Sequence, residues 1–195
     1  TETTLNDITL DYGATYADVE NELPAGWTLT EEYNKADVLN VTEGRTLNVV
    51  FKATDANHTD VTSTVKVIIN KKAITEADVE IKLPENLVVN GEAKEVTVTL
   101  KNNIDATYNV SYTGNNLVDG KPVEIGEYEA HITITAQGNY TGTITKTVSF
   151  KIAAKAVTEA DVTVTGLENL VYDGNVKTAN VTIKAGVDAK YEVTY

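Results

Sequence analysis

Apolar residues recur at every second position in several segments of the chain, which is the pattern of a half-buried β-strand. Residues 46–53 place Leu47, Val49 and Phe51 on one face, and residues 61–69 alternate in the same way after the polar turn DANHTD. Two runs of period two that flank a short polar turn predict a β-hairpin. This hairpin forms the end of a first module.

The same ending returns further along the chain, in a more regular form. Residues 126–137 alternate through Tyr128, Ala130, Ile132 and Ile134, and the turn QGNYTG stands where the first module has DANHTD. The second arm follows at residues 143–152. We therefore predict a second closing hairpin.

An internal repeat sets the organisation of the chain. Residues 72–112 return 83 positions later as residues 155–195, without a gap and with 21 identities in 41 aligned positions. A repeat at fixed period indicates a string of similar modules. A weaker echo links TYADVENELPAGW, which begins at Thr15, to TEADVEIKLPENL, which begins at Thr75.

The predicted fold class is all-β, in which tandem immunoglobulin-like β-sandwich modules form an elongated rod. Three modules follow: residues 1–71, a shorter and divergent copy; residues 72–154; and residues 155–195, the N-terminal half of a third repeat, truncated. Both junctions lack Gly and Pro, which predicts short, stiff joints. In the second module we predict strands near residues 74–81, 86–89, 94–101, 107–113, 126–137 and 143–152.

The third repeat has no counterpart of the closing hairpin in this sequence. Alone, its strands would expose apolar side chains and unpaired edges, which proteins avoid. We expect it to be completed by another chain, to pack on a neighbour, or to mark a cut in a longer protein. The apolar residues concerned are Val162, Val164, Val181, Ile183, Tyr191 and Val193.

Charge and composition narrow the classes of partner. The net charge of −13 disfavours nucleic acid and anionic lipid as partners, and no apolar run is long enough to insert into a membrane. The absence of cysteine excludes disulfides and cysteine metal sites. The absence of methionine means that Thr1 is not a translation start, so a signal segment is expected to have been removed or left out.

Two groups of motifs resemble known repeats. The first module carries LDYGATYADV, LPAGW, VVFKATDANHTDV and VKVIINK, similar to a short repeat of Gram-positive surface proteins, with His58 in place of the usual Tyr. The second carries YNVSYTGNN, IGEYEAHITITA and GNYTGTITKT, similar to tandem bacterial Ig-like repeats of Gram-positive (Firmicutes-type) cell-surface and adhesin proteins. Its Val89-Asn90-Gly91 departs from the Tyr-Asp-Gly that the third copy keeps at Tyr172.

The resemblance implies a structural or adhesive stalk segment of a secreted or cell-wall-attached bacterial protein, with no catalytic residue and no cofactor. Its partner would be a host or matrix protein or a glycan, and self-association through the incomplete third repeat is a further expectation. The alternative is an accessory carbohydrate-binding module of a secreted polysaccharide-degrading enzyme. A homotypic fibre subunit is a third hypothesis.

Histidine offers no acid–base site. His131 is out of phase with the apolar face of its strand, so we expect it to point to solvent, and His58 stands in a turn. Neither has a nucleophile or carboxylate at a suggestive spacing. We predict that the chain is not an enzyme.

Calcium is the metal to consider, because extracellular β modules often bind it at their joints. The candidate ligands are the turn residues Asp55 and Asp60 and the joint pairs Glu76 with Asp78 and Glu159 with Asp161. However, no D-x-D-x-D run is present, and oxygen-ligand sites need several convergent carboxylates. We predict no metal site.

Aromatic residues could form a carbohydrate platform, and Trp27 is the only tryptophan. The tyrosines Tyr112, Tyr140, Tyr172 and Tyr195 lie at predicted strand ends or turns. Alternation and recurrence favour a packing role for them.

Two covalent modifications were also considered. A Lys–Asn isopeptide staple is not expected, because the closing strand at residues 143–152 contains no Asn or Asp. Glycosylation sequons occur at Asn40, Asn57, Asn109, Asn139 and Asn180, and in a bacterial chain we interpret them as accidental.

Overall fold

The computed structural model describes residues 5–168, 170–185, 187 and 189–194. Short 3-10 turns occur at Glu76–Asp78 and Glu159–Asp161. In chain order, the remaining elements are β1 (Ile8–Asp11), α1 (Tyr16–Asn21), β2 (Trp27–Leu29), β3 (Thr42–Phe51), β4 (Val61–Asn70), β5 (Lys72–Ala73), β6 (Val79–Lys82), β7 (Thr97–Leu100), β8 (Ala106–Gly114), β9 (Leu117–Val118), β10 (Lys121–Pro122), β11 (Gly126–Ala136), β12 (Tyr140–Thr141), β13 (Thr143–Ile152), β14 (Val162–Thr165) and β15 (Asn180–Ile183).

The first module is built on one four-stranded sheet with the order β1-β4-β3-β2. The predicted hairpin is confirmed as β3 and β4, which pair antiparallel, while β1 runs parallel to β4. The apolar face of the sheet packs against Val19 of helix α1 and Leu39 of the following loop, both fully buried. Alternation along the strands thus produces one buried face, as the sequence indicates.

The prediction of β structure throughout is wrong at α1. Thr15 and Asp18 form a capping box that starts this six-residue helix. The helix and the loop around Leu39 cover the face of the sheet that a second sheet would cover in a sandwich. All strands of residues 5–71 lie in the one sheet. A helix this short has too few turns to leave a visible period in the sequence.

The second module contains a three-stranded sheet of order β13-β11-β8 and a separate β6–β7 pair. The inward residues of β11, among them Tyr128, Ala130 and Ile134, pack with Val98 of β7 in one apolar cluster. This cluster draws its buried members from residues 74–152, and the cluster of the first module draws its own from residues 5–69. The predicted all-β fold class is confirmed.

Three predicted strands of the second module differ from the observed ones. The strand predicted at residues 94–101 is observed as the shorter β7, Thr97–Leu100. Residues 74–78 form a turn, and the strand β6 begins only at Val79. In the segment 86–89, Val88 alone makes a bridge, parallel to Ala153. The strands β8, β11 and β13 agree with prediction to within a residue.

The third repeat forms the pair β14–β15, in which Val162 stands opposite Ile183. The pair β6–β7 has the same register, because Val79 and Leu100, the equivalents of Val162 and Ile183 in the second module, also stand opposite each other. Of the apolar residues predicted to be exposed here, three are exposed and three are half-buried. The exposed ones are Val164, Tyr191 and Val193, and the half-buried ones are Val162, Val181 and Ile183.

Candidate functional site at the module joints

The same turn, Thr-Xaa-Ala-Asp, occurs near the start of each module. The backbone N–H of the Thr donates to Oδ2 of the Asp at 2.7, 2.8 and 3.1 Å in the three copies, and the Thr hydroxyl donates to the same oxygen at 2.8, 2.8 and 2.9 Å. The echo between the first and second modules is therefore a shared local structure. These turns begin at Thr15, Thr75 and Thr158.

The turn carboxylates are held in their charged form. The amide of Asn102 donates to Asp78 Oδ1 at 2.9 Å, and together with the Thr75 donors it lowers the pKa of Asp78. The pKa of Asp161 is lowered by its Thr158 hydrogen bonds and by Lys155, whose Nζ lies 3.3 Å from Oδ1. Hydrogen bonds to a carboxylate favour ionisation because they stabilise the charge.

The first joint is held together by Asn139, which lies in the turn of the second module's closing hairpin. Its side-chain Oδ1 accepts from the backbone N–H of Val41 at 3.3 Å, and its Nδ2 donates to Asn40 Oδ1 at 3.2 Å. Its backbone oxygen accepts from Lys72 N at 3.0 Å. One residue of the second module thus binds both the first module and the linker.

An aromatic contact lies beside these hydrogen bonds. The rings of Tyr12 and Tyr140 meet edge to face, with centroids 5.3 Å apart and an interplanar angle of 78°. Burial raises the pKa of Tyr140. Edge-to-face pairs of this kind contribute about 0.5–1.5 kcal/mol beyond the area they bury.

The local sequence explains why this turn reaches the joint. Gly138 adopts a φ of 56°, a left-handed conformation that favours glycine and reverses the chain direction after β11. Strand β12 then pairs parallel with the linker strand β5. The ion pair between Lys146 Nζ and Glu76 Oε1, at 2.5 Å, fixes the start of the second module to β13. The linker is therefore part of a sheet rather than a free tether.

The second joint repeats part of this arrangement. Ala153 donates to Leu87 O at 2.8 Å and accepts from Val89 N at 3.0 Å, so the chain leaves the second module in a hydrogen-bonded bridge. Asp161 is buried there, with 5% of its surface exposed. In the third copy Ala185 stands where the second module has Asn102, and Asp161 pairs with Lys155.

Each histidine lies beside a carboxylate, which the sequence spacing did not indicate: His58 beside Asp55, and His131 with its Nε2 3.8 Å from Glu129 Oε2. His58 Nδ1 lies 2.8 Å from Asp55 Oδ1 in the exposed turn, and the pKa of Asp55 is lowered mainly by that hydrogen bond. His131 lies on the polar face of β11, between Thr113 and Thr147. The predicted outward orientation of His131 is therefore confirmed.

The calcium candidates are dispersed, and Asp55, Asp60, Glu76, Asp78 and Asp161 already have protein partners. Asp60 accepts from Ala53 N at 2.9 Å, which lowers its pKa, and Lys52 lies 3.4 Å away. Glu76 pairs with Lys146, and Asp78 and Asp161 accept the turn hydrogen bonds. No group of three or more potential metal ligands was found in the described part of the chain.

The aromatic candidates divide between core and surface. Tyr112 packs against Phe150 and accepts from Val96 N at 3.0 Å, which fits the packing role. Trp27 meets Phe51 edge to face at 5.8 Å, and Phe51 is 41% exposed. Tyr172 is exposed, and Tyr195 lies outside the described residues.

A buried lysine meets an asparagine at a place that the sequence analysis did not consider. Lys94 is buried, and its Nζ donates to Asn90 Oδ1 at 2.7 Å, while Asn90 Nδ2 donates to Glu92. The absence of an isopeptide staple stays a prediction. Intact mass checks it, because each Lys–Asn bond would remove one ammonia.

The joint contacts of Tyr12, Asn40 and Asn139 were not predicted from the sequence. A signal was available for two of them: Tyr12 stands before a Gly, as Tyr172 stands near one in Tyr-Asp-Gly, and Asn139 belongs to GNYTGT. For Asn40 we found no sequence signal. Two of the sequons, at Asn40 and Asn139, thus fall on residues that bind each other.

No helix in the described ranges is long and apolar enough to cross a membrane. No curated protein matches the chain. Residues 85–155 match the model of the MBG domain family, a family of bacterial surface-protein repeats, and this segment is just over a third of the chain.

Proposed function

We propose that the chain is a non-catalytic spacer segment of a secreted or cell-wall-attached bacterial surface protein, with its modules in an elongated rod. The observation that carries the proposal is the contact of Asn139 and Tyr140 with the first module. A joint with side-chain hydrogen bonds, ring packing and a paired linker resists bending, which a spacer requires. The MBG match supports the surface-protein class.

The acidic surface fits this role. A net charge of −13 keeps the chain soluble and repels neighbouring copies. Strands of ten residues span about 34 Å, so three modules in line would reach on the order of 100 Å. A Gram-positive source would follow from the motifs that resemble Firmicutes-type repeats.

Small-angle X-ray scattering of the whole chain tests the proposal. We expect an elongated particle with a narrow length distribution, and a broader distribution in the double variant Asn139→Ala, Tyr140→Ala. The matched control is His58→Ala, which changes the equivalent turn position of the first module away from the joint. A compact wild-type particle, or a double variant that scatters like the wild type, would contradict the proposal.

An adhesive role toward a host or matrix protein makes a different prediction. Binding to an array of extracellular matrix proteins would then be saturable and would persist at physiological salt. Without such binding, the spacer role alone remains. The scattering result does not depend on this outcome.

The second candidate is a glycan-binding accessory module, which the Trp27–Phe51 pair favours. Phe51 is 41% exposed, and Val61, its cross-strand neighbour, is 50% exposed. A glycan array would show binding that is lost in Trp27→Ala and in Phe51→Ala and kept in Tyr108→Ala, an exposed aromatic of the second module. No binding, or binding that survives both substitutions, would exclude this candidate.

A further inference from the structure

The turn that contains Asn90 and Gly91 places a side-chain amide beside an unhindered backbone nitrogen. Asn90-Gly91 is the only Asn-Gly pair in the sequence. Gly91 adopts a φ of 80°, and no atom lies within 4 Å of the position that a Cβ would occupy. Both residues are exposed, and within the described ranges the Gly91 N–H has no hydrogen-bond partner. The Asn90 amide is therefore accessible to water, and the neighbouring nitrogen is not engaged elsewhere.

The carbonyl of the Asn90 side chain is polarised by two donors. Lys94 Nζ donates to Oδ1 at 2.7 Å, and the backbone N–H of Glu92 donates to the same oxygen at 3.2 Å. Lys94 is buried, so solvent screens its charge less than that of a surface lysine. A nucleophile that attacks Cγ places negative charge on Oδ1, and donors that already face this oxygen stabilise that charge.

The third repeat has an acid at the same place in the turn. Asp173 stands where the second module has Asn90. Its Oδ1 accepts from the backbone N–H of Asn175 at 3.0 Å, and its Oδ2 lies 2.6 Å from Lys177 Nζ. These two donors occupy the positions of the two donors in the second module. A carboxylate thus fits this turn with the same kinds of partner.

We infer that Asn90 is a site of spontaneous deamidation in the folded chain and that Lys94 assists the reaction. The Gly91 nitrogen gives its proton to hydroxide and forms a bond to Asn90 Cγ, while the bond from Cγ to Nδ2 breaks. Nδ2 takes a proton from water and leaves as ammonia. A second water then opens the cyclic imide to aspartate or isoaspartate. In sum, one water is consumed and one ammonia is released.

The reaction changes a turn that adjoins the second joint. The turn follows Val89, whose backbone N–H donates to Ala153 O at 3.0 Å where the chain leaves the second module. Either product adds a negative charge beside Lys94. Isoaspartate also lengthens the backbone by one methylene group, directly after Val89. Deamidation therefore alters the segment that fixes the end of the second module.

Peptide mapping by mass spectrometry tests the inference on the whole chain, incubated at mildly alkaline pH. We expect Asn90 to gain the mass difference between an acid and an amide well before Asn57 does. Asn57 is the internal control, because it is also exposed in a turn but is followed by His58. Chromatography separates the aspartate and isoaspartate products.

A matched pair of variants tests the part played by Lys94. Lys94→Gln removes the charge and should slow deamidation about tenfold or more, whereas Lys94→Arg keeps the charge and should react nearly as fast as the wild type. In a synthetic peptide of residues 86–96 the lysine is solvated, so the Gln substitution should have little effect there. Hydrogen exchange shows whether each variant is folded. If Lys94→Gln does not fold, the folded wild type must react faster than the wild-type peptide.

Three results would overturn the inference. One is an intact Asn90 amide after Asn57 has reacted, and another is a folded Lys94→Gln variant that reacts as fast as the wild type. The third is a stable loss of ammonia without uptake of water, which would mean that Lys94 Nζ attacks Cγ instead of Gly91 N. The inference does not depend on the spacer role, which scattering tests separately.

Discussion

Residues 72–114 and residues 155–194 have closely similar sequences, yet they do not form the same set of strands. The pairs β6–β7 and β14–β15 form in both copies with the same register. Strand β8, in contrast, occurs only in the second module, where β11 lies beside it. Residues 189–194 have nearly the same side chains and no such neighbour. In the described structure, the strand pair at the start of the repeat forms in both copies, while β8 is observed where the hairpin strand β11 lies beside it.

At most equivalent positions, the side chains of the third repeat are more exposed than those of the second module. Lys94 is buried, whereas the side chain of its counterpart Lys177 is 40% exposed. Asp161 is the exception, since it is buried while Asp78 is half-buried. The carboxylate of the third repeat's first turn is thus buried, although Val157 beside it is 49% exposed where its counterpart Ile74 is 8% exposed.

The largest effect is expected from one charge placed at equivalent positions. Val98→Asp puts an unpaired carboxylate into the core of the second module and should cost about 4 kcal/mol of its free energy of unfolding. Val181→Asp should cost less than about 1 kcal/mol, because Val181 is only half-buried. Urea unfolding followed by segment-resolved hydrogen exchange measures both, and equal costs would contradict the comparison.

A smaller effect on stability is expected from truncating one buried side chain of the β11–β13 hairpin. Ile134 is fully buried, so Ile134→Ala should destabilise the second module by about 3 kcal/mol. Exchange in β8 should rise with it, while β14–β15 stays unchanged. Thr133→Ala, on the polar face of the same strand, is the control and should stay within about 0.5 kcal/mol. Unaltered exchange in β8 would show that this strand does not depend on β11.

The next smaller effect on stability is expected in the Thr-Xaa-Ala-Asp turn near the start of the second module. Asp78→Ala removes the acceptor for Thr75 N–H and should cost about 1 kcal/mol, the usual value for a lost cap. A thermal melt of the whole chain measures it, with Glu85→Ala, an exposed acid of the same module, as control. An unshifted melt in Asp78→Ala would contradict a stabilising role.

The same carboxylate predicts a direction for the pH dependence. The pKa of Asp78 is lower in the folded chain than in the unfolded chain. In acid, the unfolded state therefore binds more protons than the folded state. The stabilisation that Asp78 contributes is fully present above the unfolded pKa of about 3.9. It is lost as pH falls through the folded pKa. In acid, the free energy of unfolding should fall less steeply with decreasing pH in Asp78→Ala than in the wild type. An identical slope in the two proteins would contradict the stabilising role of the Asp78 carboxylate.

The smallest effects concern the lysine pair. Asn90→Asp gives the second module the acid that the third copy has as Asp173, whose Oδ2 lies 2.6 Å from Lys177 Nζ. An ion pair with buried Lys94 should stabilise the module by less than about 1 kcal/mol, because Glu92, which accepts from Asn90 Nδ2 at 2.6 Å, would repel the new carboxylate. Lys177→Ala, which breaks the exposed pair, should change stability less than Asn90→Asp does, because solvent screens an exposed ion pair. Urea midpoints measure both, and destabilisation by Asn90→Asp would contradict the expectation.

Strands with long alternation could be predicted from the sequence, and strands without it could not. The hairpins β3–β4 and β11–β13 follow from period two alone. Helix α1 was missed because its signal is a capping box of two residues, Thr15 and Asp18. The start of β6 was placed too early because the turn Thr75–Asp78 contains no Gly or Pro to mark it. Local hydrogen bonds, rather than the pattern of apolar residues, determine the structure at α1 and at the start of β6.

The joint could be predicted only in part. Its motif GNYTGT is visible in the sequence, but its partner Asn40 is 99 residues away from Asn139, and Tyr12 is still further from Tyr140. Contacts over such separations depend on how whole modules dock, and no local pattern encodes that. The absence of a catalytic site and of bound metal remains a prediction.

The parallel pairing of β1 with β4 has a mechanical consequence. These strands are the first and last of their module, so tension applied at the two chain ends pulls them past each other along their length. The hydrogen bonds from Ile8↔Val67 to Asp11↔Asn70 then carry the load together in shear, instead of opening one at a time. The bridge from Val88 to Ala153 has the same polarity at the end of the second module. A chain with this pairing is suited to bear force between its ends.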